Sequence, residues 1–271
     1  MNSLEISKAR LTEYHRTIER FAALAESEAN AVLADLWLSN ADGRPEVLAS
    51  IVRTIIPEIA NQYGLAAATV SADLWEEIYE ADTGRSMRAE IPKAGADLAA
   101  ASISDTFGDK TIARAIWRAS NPATGDNYGI DPSELAKGYV AQLVAGNVFN
   151  RAREIQTYNT RNVVLRRLPG CDHARFARIP TGDEACAFCI TLASRGFVYH
   201  SAESAGEFDK YHDDCKCEVV SSFSEDPTVE GYAPKEYYDM YSNAIVRPGG
   251  KGSPIDFKRT LANMRNMYGF K

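Results

Sequence analysis

The sequence predicts an α+β fold that is mostly helical in its amino-terminal half, with a long central helix, a small zinc-stapled module that contains strands, and a short helical tail. Three observations support this class. Apolar residues recur at helical spacing through the amino-terminal half, short strand-like runs follow Pro169-Gly170, and four of the five cysteines lie between Cys186 and Cys217. The predicted parts are residues 1–130 (helical leader and bundle), 131–168 (connecting helix), 169–225 (zinc-knuckle module) and 226–271 (hinge and carboxy-terminal helix).

The amino-terminal half has the pattern of successive amphipathic helices. A first helix carries one apolar stripe and ends near Asn40. A second begins at Pro45, because proline fits the first helical turn, and we expect Pro57 to kink or break it and Gly64 to close it. A third helix stops by Gly84. The chain is therefore expected to begin with three helices that each bury one face.

The long central helix has the clearest start signal in the sequence. Asp131 can cap it, Pro132 fits its first turn, and Glu134 could complete a reciprocal capping box. Two shorter helical patterns precede it, over residues 94–105 and 109–119. Apolar positions recur along the long helix and imply burial over much of its length. We expect this helix to join the two halves of the chain.

The carboxy-terminal part is predicted to contain short strands followed by two helices. Strand patterns cover Arg175–Ile179, Phe197–Tyr199 and Glu218–Val220. Helical patterns cover Pro234–Tyr241 and Ile255–Met267, with a glycine-rich hinge between them. Such a small sheet has little core of its own, so we expect a bound metal to supply much of its stability.

The chain turns basic where the long helix ends. Guanidinium groups pair well with phosphates, so this run could contact nucleic acid, but it could equally pair with an acidic protein surface or cover helices by packing. The net charge of −7 argues against a protein that coats nucleic acid over its whole surface. The candidate contact residues are Arg151, Arg153, Arg161, Arg166, Arg167, Arg175 and Arg178.

The cysteine-rich stretch predicts a structural zinc site. Cys186 and Cys189 form a C-x2-C pair, Cys215 and Cys217 form a C-x-C pair, and His212 lies three residues before Cys215. Five candidates compete for four positions, so the ligands could be four cysteines, with the histidine outside them, or three cysteines and the histidine. A catalytic zinc keeps one position open for water, so the surplus of ligands favours a structural role.

The rival interpretation of these cysteines is two disulfides, which would require an oxidising compartment. The start of the sequence, MNSLEISKARLTEYHRTIER, is charged and amphipathic and does not resemble a signal peptide, so we expect synthesis in a reducing cytosol. No apolar run approaches the length of about 18 residues that a membrane helix needs, so we expect no membrane association. Metal binding is therefore the preferred interpretation.

The stretch RFARIPTGDEACAFCITLASRGFVYHSAESAG, followed by YHDDCKCEVV, resembles the carboxy-terminal module of MuF-like minor capsid proteins of tailed bacteriophages, especially those that infect actinobacteria. The resemblance covers about residues 150–271 and is only architectural before them. It implies a low-copy virion protein, made in the host cytoplasm, that lies in the capsid interior near the portal vertex. Its implied partners are the portal protein and other head proteins, with packaged DNA as a further candidate, and no small-molecule substrate.

The alternative function is a zinc-knuckle protein that binds or processes DNA, such as a nuclease. An H-x2-C sequence near a C-x2-C pair also occurs in treble-clef nucleases, but a nuclease needs a general base and a separate catalytic metal. The sequence contains no H-E-x-x-H and no G-x-S-x-G motif. We therefore assign no catalytic residue and no organic-cofactor site, and we expect the protein not to be an enzyme.

Overall fold

The computed structural model describes residues 7–39, 45–93, 132–181, 185–200 and 217–270, and within these ranges the chain forms six helices and two strands. This content confirms the predicted α+β class, with helix predominating. The elements are α1 (Lys8–Ser39), α2 (Pro45–Thr83), α3 (Pro132–Leu165), β1 (Arg175–Ile179), α4 (Ala187–Ala193), β2 (Glu218–Ser222), α5 (Pro234–Ala244) and α6 (Phe257–Tyr268). The predicted helices over 94–105 and 109–119 and the capping residue Asp131 lie outside the described residues.

Helix α2 is longer than the sequence predicts, because it continues through Pro57 and Gly64. The predicted end at Gly64, and with it a separate third helix, is wrong. A Cβ atom at position 64 would lie 3.0 Å from Cγ of Arg151, so the glycine leaves room for that side chain rather than ending the helix. Burial of Ile56 and Ile59 beside the proline supplies the apolar contacts that keep the helix continuous despite the missing backbone hydrogen bond.

Contacts divide the chain into two compact units. Unit 1 comprises Met1–Arg16, Ser71–Glu90 and Arg153–Lys271, and unit 2 comprises Thr17–Val70 and Ile91–Ala152. Unit 2 has a core of aliphatic side chains from the three long helices, in which alanine is frequent. Its described polar contacts include Tyr63 Oη, which donates to Glu28 at 2.8 Å. The four-part division predicted from the sequence stays a prediction.

Unit 1 contains the two-stranded antiparallel sheet. Its register pairs Arg175 with Ser222 at one end and Ile179 with Glu218 at the other. The predicted strand Phe197–Tyr199 is reduced to a single bridge, in which Phe176 and Tyr199 exchange backbone hydrogen bonds of 2.8 and 3.3 Å. The stacked rings of these two residues, with centroids 5.7 Å apart, cover that part of the sheet.

The last helices of unit 1 pack around the short helix α4. Ala187 and Ile190 of α4 form a buried cluster with Ala244 of α5 and Met264 of α6. The start of α6 is fixed by Asp256, whose carboxylate accepts from the backbone N–H of Arg259 at 3.0 Å. Both predicted tail helices are therefore confirmed. None of the helices in the described part of the chain is long and apolar enough to cross a membrane.

Candidate functional site

Three of the five predicted metal ligands lie together in unit 1. Cys186, Cys189 and Cys217 form one buried cluster, and the ring of Phe188 packs against it. Their exposed fractions are 8%, 2% and 2%, so the thiol groups are shielded from water. We call Cys186, Cys189 and Cys217 the thiol cluster. The other two predicted ligands, His212 and Cys215, lie outside the described residues.

The C-x2-C pair is shaped by the first turn of α4. Cys186 is the residue before the helix and has extended backbone angles, φ −83° and ψ 150°. Its Sγ accepts a hydrogen bond from the backbone N–H of Cys189 at 3.2 Å, as a serine or aspartate oxygen does at other helix starts. Because residues three apart lie on the same side of a helix, this turn keeps the two sulfur atoms on one side.

Cys217 reaches the cluster from the other segment, immediately before β2. Its carbonyl oxygen accepts a hydrogen bond of 2.8 Å from Nε of Arg153, a residue of α3 that is 1% exposed. Loss of this hydrogen bond would leave the carbonyl oxygen of Cys217 without its arginine donor, at a cost in free energy. The buried arginine therefore holds the backbone of Cys217 in place. Helix α3 therefore positions the backbone of Cys217.

The chemistry of the thiol cluster suits a thiophilic ion such as zinc, which binds cysteine sulfur in closed tetrahedral sites. Among the described residues no group of three or more His, Cys, Asp or Glu is arranged to hold a metal ion, so the cluster alone is an incomplete ligand set. No disulfide joins Cys171, Cys186, Cys189 and Cys217 to one another. The three buried cysteines pack together, and the zinc ligand set, with two further candidates outside the described residues, stays a prediction.

The sheet face that carries Cys217 also carries a buried arginine. Arg178 of β1 is 3% exposed and pairs in register with Val219, and side chains two apart on a strand share a face. Burial raises the pKa of the Tyr199 hydroxyl, the nearby positive charges of Arg195 and Arg178 oppose this rise, and Cys217 adds to it. Arg178 and Cys217 therefore lie near the same phenol.

The opposite face of β2 carries a buried acid. Glu218 is fully buried, and its Oε1 lies 2.8 Å from Nδ1 of His15, whose side chain is 8% exposed. Its second oxygen, Oε2, is buried without a hydrogen-bond partner in the described structure. Burial is the main cause that raises the pKa of Tyr14, and the negative charge of Glu218 is the second. This pair ties the start of α1 to the residue next to Cys217.

A buried network of uncharged polar side chains joins the helices of unit 1 to β2. Gln156 of α3 donates to the backbone oxygen of Ser71 at 2.9 Å and accepts from the backbone N–H of Ser221 at 3.3 Å. Thr160 and Ser221 share a hydrogen bond of 2.6 Å, and Trp75 Nε1 donates to Thr160 at 3.1 Å. This network was not predicted from the sequence, although polar residues within the apolar stripe of α3 were a signal for it.

Three of the seven predicted contact arginines are buried. Arg151 is 6% exposed and donates to the carbonyl oxygen of Pro92 at 2.8 Å within unit 2. Arg153 and Arg178 belong to unit 1, where Arg153 binds the backbone of Cys217 and Arg178 lies on the same sheet face. In this conformation their guanidinium groups pack inside the protein, so the basic run does not form one continuous surface.

The other four arginines are accessible to different degrees. Arg161, Arg166 and Arg167 are exposed, and Arg166 forms an ion pair of 3.0 Å with Glu90. Arg175 is half-buried and donates to the backbone oxygens of residues 224 and 225. Contact of this set with nucleic acid or an acidic partner stays a prediction, and the exposed members are the ones that could make it.

The comparison with protein families connects this architecture to a known group. A family model described as VG15 protein matches residues 5–244, which include the thiol cluster, the sheet and the buried network. The chain belongs to the VG15 protein family. VG15 is a family of viral (phage) proteins, which agrees with the phage origin that the sequence resemblance implies. No curated protein and no solved structure matches the chain significantly.

Proposed function

We propose that this VG15 family member is a non-enzymatic minor capsid protein of the phage head, MuF-like in type, that associates with the portal and the capsid interior. We also propose that one structural zinc ion stabilises its carboxy-terminal module. The observation that carries the proposal is the packing of Cys186 and Cys189 with Cys217, which comes from the other end of the cysteine-rich stretch, in one buried thiol cluster. Membership of a phage protein family supports the virion role.

Burial favours a structural ion over a catalytic one. A catalytic zinc must keep a position that water and substrate can reach, whereas the three described cysteines are at most 8% exposed and Phe188 packs against them. Cys186, Cys189 and Cys217 would supply three ligands, and Cys215 or His212 the fourth. A bound zinc ion would then cross-link α4 to β2, in a sheet of only two strands.

The zinc site is tested by metal analysis of the purified full-length protein. We expect about one zinc per chain in the wild type, and absence of zinc from the double variant Cys186→Ser/Cys189→Ser. Cys171→Ser is the matched control, because Cys171 is also buried but lies outside the thiol cluster. Full zinc occupancy in the double variant would refute the ligand set, and a metal-free wild type would refute the zinc site.

The portal association is tested by co-purification with portal rings. Deletion of the first helix is not a clean test, because Tyr14 and Ile18 are fully buried and their removal would destabilise the core. Leu24 of α1 is 47% exposed, so Leu24→Glu changes the surface and leaves the core intact. Wild-type protein should be retained by portal rings. If wild-type protein is not retained, the portal role is wrong, and failure of Leu24→Glu alone to bind would locate the contact on α1.

The proposed contact with packaged DNA involves Arg161, Arg166 and Arg167, which are exposed. Substitution of all three by glutamine should weaken binding to duplex DNA and reduce its salt dependence, by a slope of about 0.9 for each phosphate that the variant no longer neutralises. Arg195→Gln, at another exposed arginine of unit 1, is the control. Binding that does not vary with salt would exclude this contact, and cleavage of DNA by the purified protein would favour the nuclease alternative.

A further inference from the structure

The segment formed by residues 245–270 is basic, although the chain as a whole is acidic. It contains five basic residues and one acidic residue, a net charge of +4, whereas the whole chain carries −7. A local excess of positive charge of this kind is typical of a surface that binds a polyanion. We propose that the outer face of α6 is a contact surface for duplex DNA, in addition to the contact proposed through Arg161, Arg166 and Arg167. The choice of DNA rests on the proposed location in the capsid interior, which holds the packaged genome.

Helix α6 buries one face against unit 1 and exposes the other. Thr260 and Met264 are fully buried, and Met264 packs with Ala187 and Ile190 of α4. Thr260 Oγ1 also accepts a hydrogen bond of 3.0 Å from the backbone N–H of Val246. An amphipathic helix that binds a lipid surface must place its apolar face in the lipid, and here protein already covers that face. The exposed polar face is therefore the part of α6 that can contact a partner.

The exposed face of α6 carries three cations. Arg259 pairs with Asp256 at 3.8 Å, but its side chain is 70% exposed, and a surface pair of this kind contributes little. Lys258 and Arg265 are exposed and form no ion pair with another residue that the structure describes. They are seven residues apart, or about two helical turns, so they lie on one side of the helix with the small, exposed Ala262 between them. The helix can therefore approach a phosphate backbone closely.

The glycine-rich segment before α6 brings further positive charge to the start of this helix. Arg247 and Lys251 are exposed. The backbone N–H of Asp256 donates to the carbonyl oxygen of Val246 at 2.9 Å, which holds Arg247 beside the first turn of α6. The guanidinium of Arg247 also donates to the carbonyl oxygen of Ser253, which closes the turn. We call the exposed face of α6 and these two flanking cations the tail surface.

The side chains of the tail surface suit the phosphate backbone of a nucleic acid. Lysine and arginine neutralise phosphates, and asparagine side chains also donate hydrogen bonds to phosphate oxygens. Asn266 is exposed next to Arg265 and supplies such a donor. Contacts with phosphates do not depend on base sequence, so the tail surface should bind duplex DNA without sequence preference.

Substitution of the three α6 cations by glutamine should weaken the binding of duplex DNA. In the variant Lys258→Gln/Arg259→Gln/Arg265→Gln, the slope of log affinity against log salt concentration should fall by about 0.9 for each phosphate that is no longer neutralised, and thus by about 2.7 for three phosphates. At roughly 0.1 M salt, the affinity should fall by at least about tenfold. The buried face of α6 is unchanged in this variant, so we expect the fold to be retained.

The matched control removes the same charge from other exposed positions of unit 1. This variant is Lys8→Gln/Arg16→Gln/Arg195→Gln, and it should keep the wild-type affinity and salt slope, because distant surface charges are screened beyond about 10 Å at 0.1 M salt. Binding is measured with the full-length protein by fluorescence anisotropy of a labelled duplex of mixed sequence over a series of NaCl concentrations. Far-UV circular dichroism checks the fold of each variant.

A double variant keeps the test decisive if the triple variant does not fold. Lys258→Gln/Arg265→Gln retains the pair of Arg259 with Asp256 at the start of α6, and its salt slope should fall by about 1.8. Wild-type affinity and slope in the variants of α6 would refute the proposal, whatever the substitution of Arg161, Arg166 and Arg167 does. Equal weakening by the α6 variant and the control would show an effect of net charge and would also refute it.

Two further measurements separate the tail surface from other partners and from the proposed portal role. A wild type that binds vesicles of anionic phospholipid but not duplex DNA would overturn the proposal. The α6 variant should still be retained by portal rings, so loss of DNA binding with normal retention supports the tail surface and leaves the portal association unaffected. Loss of portal retention with unchanged DNA binding would show that the tail surface contacts a protein instead, and the proposal would be wrong.

Discussion

Removal of His15 tests how firmly the start of α1 is held to β2. In the variant His15→Ala, Glu218 would remain fully buried, with its Oε1 deprived of the imidazole at 2.8 Å and its Oε2 already without a hydrogen-bond partner in the described structure. Removing the partner of a buried hydrogen-bonded group leaves that group unsatisfied, which costs about 1–3 kcal/mol. The free energy of unfolding of a domain is about 5–15 kcal/mol, so this single change would remove a substantial fraction of that free energy.

The measurement is urea unfolding followed by far-UV circular dichroism. With an m-value of about 2–3 kcal/mol/M, the expected destabilisation lowers the unfolding midpoint by roughly 0.3–1.5 M. His173→Ala is the control, because His173 is exposed and its replacement should change stability by less than about 0.5 kcal/mol. A His15→Ala midpoint equal to that of the control would refute the reasoning.

A double variant separates the pair from the cavity that a truncation leaves. His15→Phe with Glu218→Met replaces both partners by apolar side chains of similar size, and such replacements of buried pairs are often neutral or stabilising. We expect the double variant to be more stable than either single variant. Additive destabilisation from the two single changes would show that the two side chains do not interact.

Three further predictions concern other buried positions. Gly64→Val should destabilise the protein by about 1–3 kcal/mol in thermal unfolding, because its Cβ would lie 3.0 Å from Cγ of Arg151, and an unchanged midpoint would show that the arginine can move away. Tyr14 is buried and its pKa is raised above the ordinary value of about 10, so the unfolded state loses its proton first. Its contribution to stability is thus complete below about pH 10 and declines as the pH rises above that value, and Tyr14→Phe should make alkaline unfolding less steep, whereas an identical pH profile would contradict this origin. Burial raises the pKa of the Cys171 thiol, so iodoacetamide should label Cys171 slowly at about pH 8 and rapidly in urea, as read by mass spectrometry, and rapid native labelling would contradict that burial.

Local sequence signals predicted most of the described elements. The strand Arg175–Ile179 has the predicted bounds, and α3 begins at Pro132 as expected for a proline in the first turn. The tail helices also agree, because proline at the start of α5 and Asp256 before α6 are starting signals that depend on a few neighbouring residues. Where a structure is decided by adjacent residues, the sequence is sufficient to predict it.

The errors arise where distant residues decide the local structure. Gly64 has the pattern of a helix end. The position is glycine because Arg151, far along the chain, packs where a side chain at position 64 would lie. The basic run likewise cannot show which arginines turn inward, because the hydrogen bond of Arg153 to Cys217 and the pairing of Arg178 with Val219 form only after the chain has folded. Long-range interactions of this kind leave no periodic pattern in the sequence.

The candidate site was only partly predicted, because local spacing sets some of its residues and long-range packing sets the others. The C-x2-C spacing is a local signal, so Cys186 and Cys189 could be assigned as partners from the sequence. The supporting residues could not, because Gln156 and Ser71 are 85 residues apart and their hydrogen bond depends on how α2 and α3 pack in unit 1. A polar residue inside an apolar helical stripe is the signal that would have directed attention to them.

Hydrogen–deuterium exchange of the full-length protein, with and without a strong zinc chelator, tests most directly whether an ion stabilises the module. Protection should fall in β1, α4 and β2, which flank the thiol cluster, and should stay unchanged within residues 17–39 of α1 in unit 2. Re-addition of zinc should restore the protection. Equal protection of β1, α4 and β2 in both conditions would contradict the role of the ion.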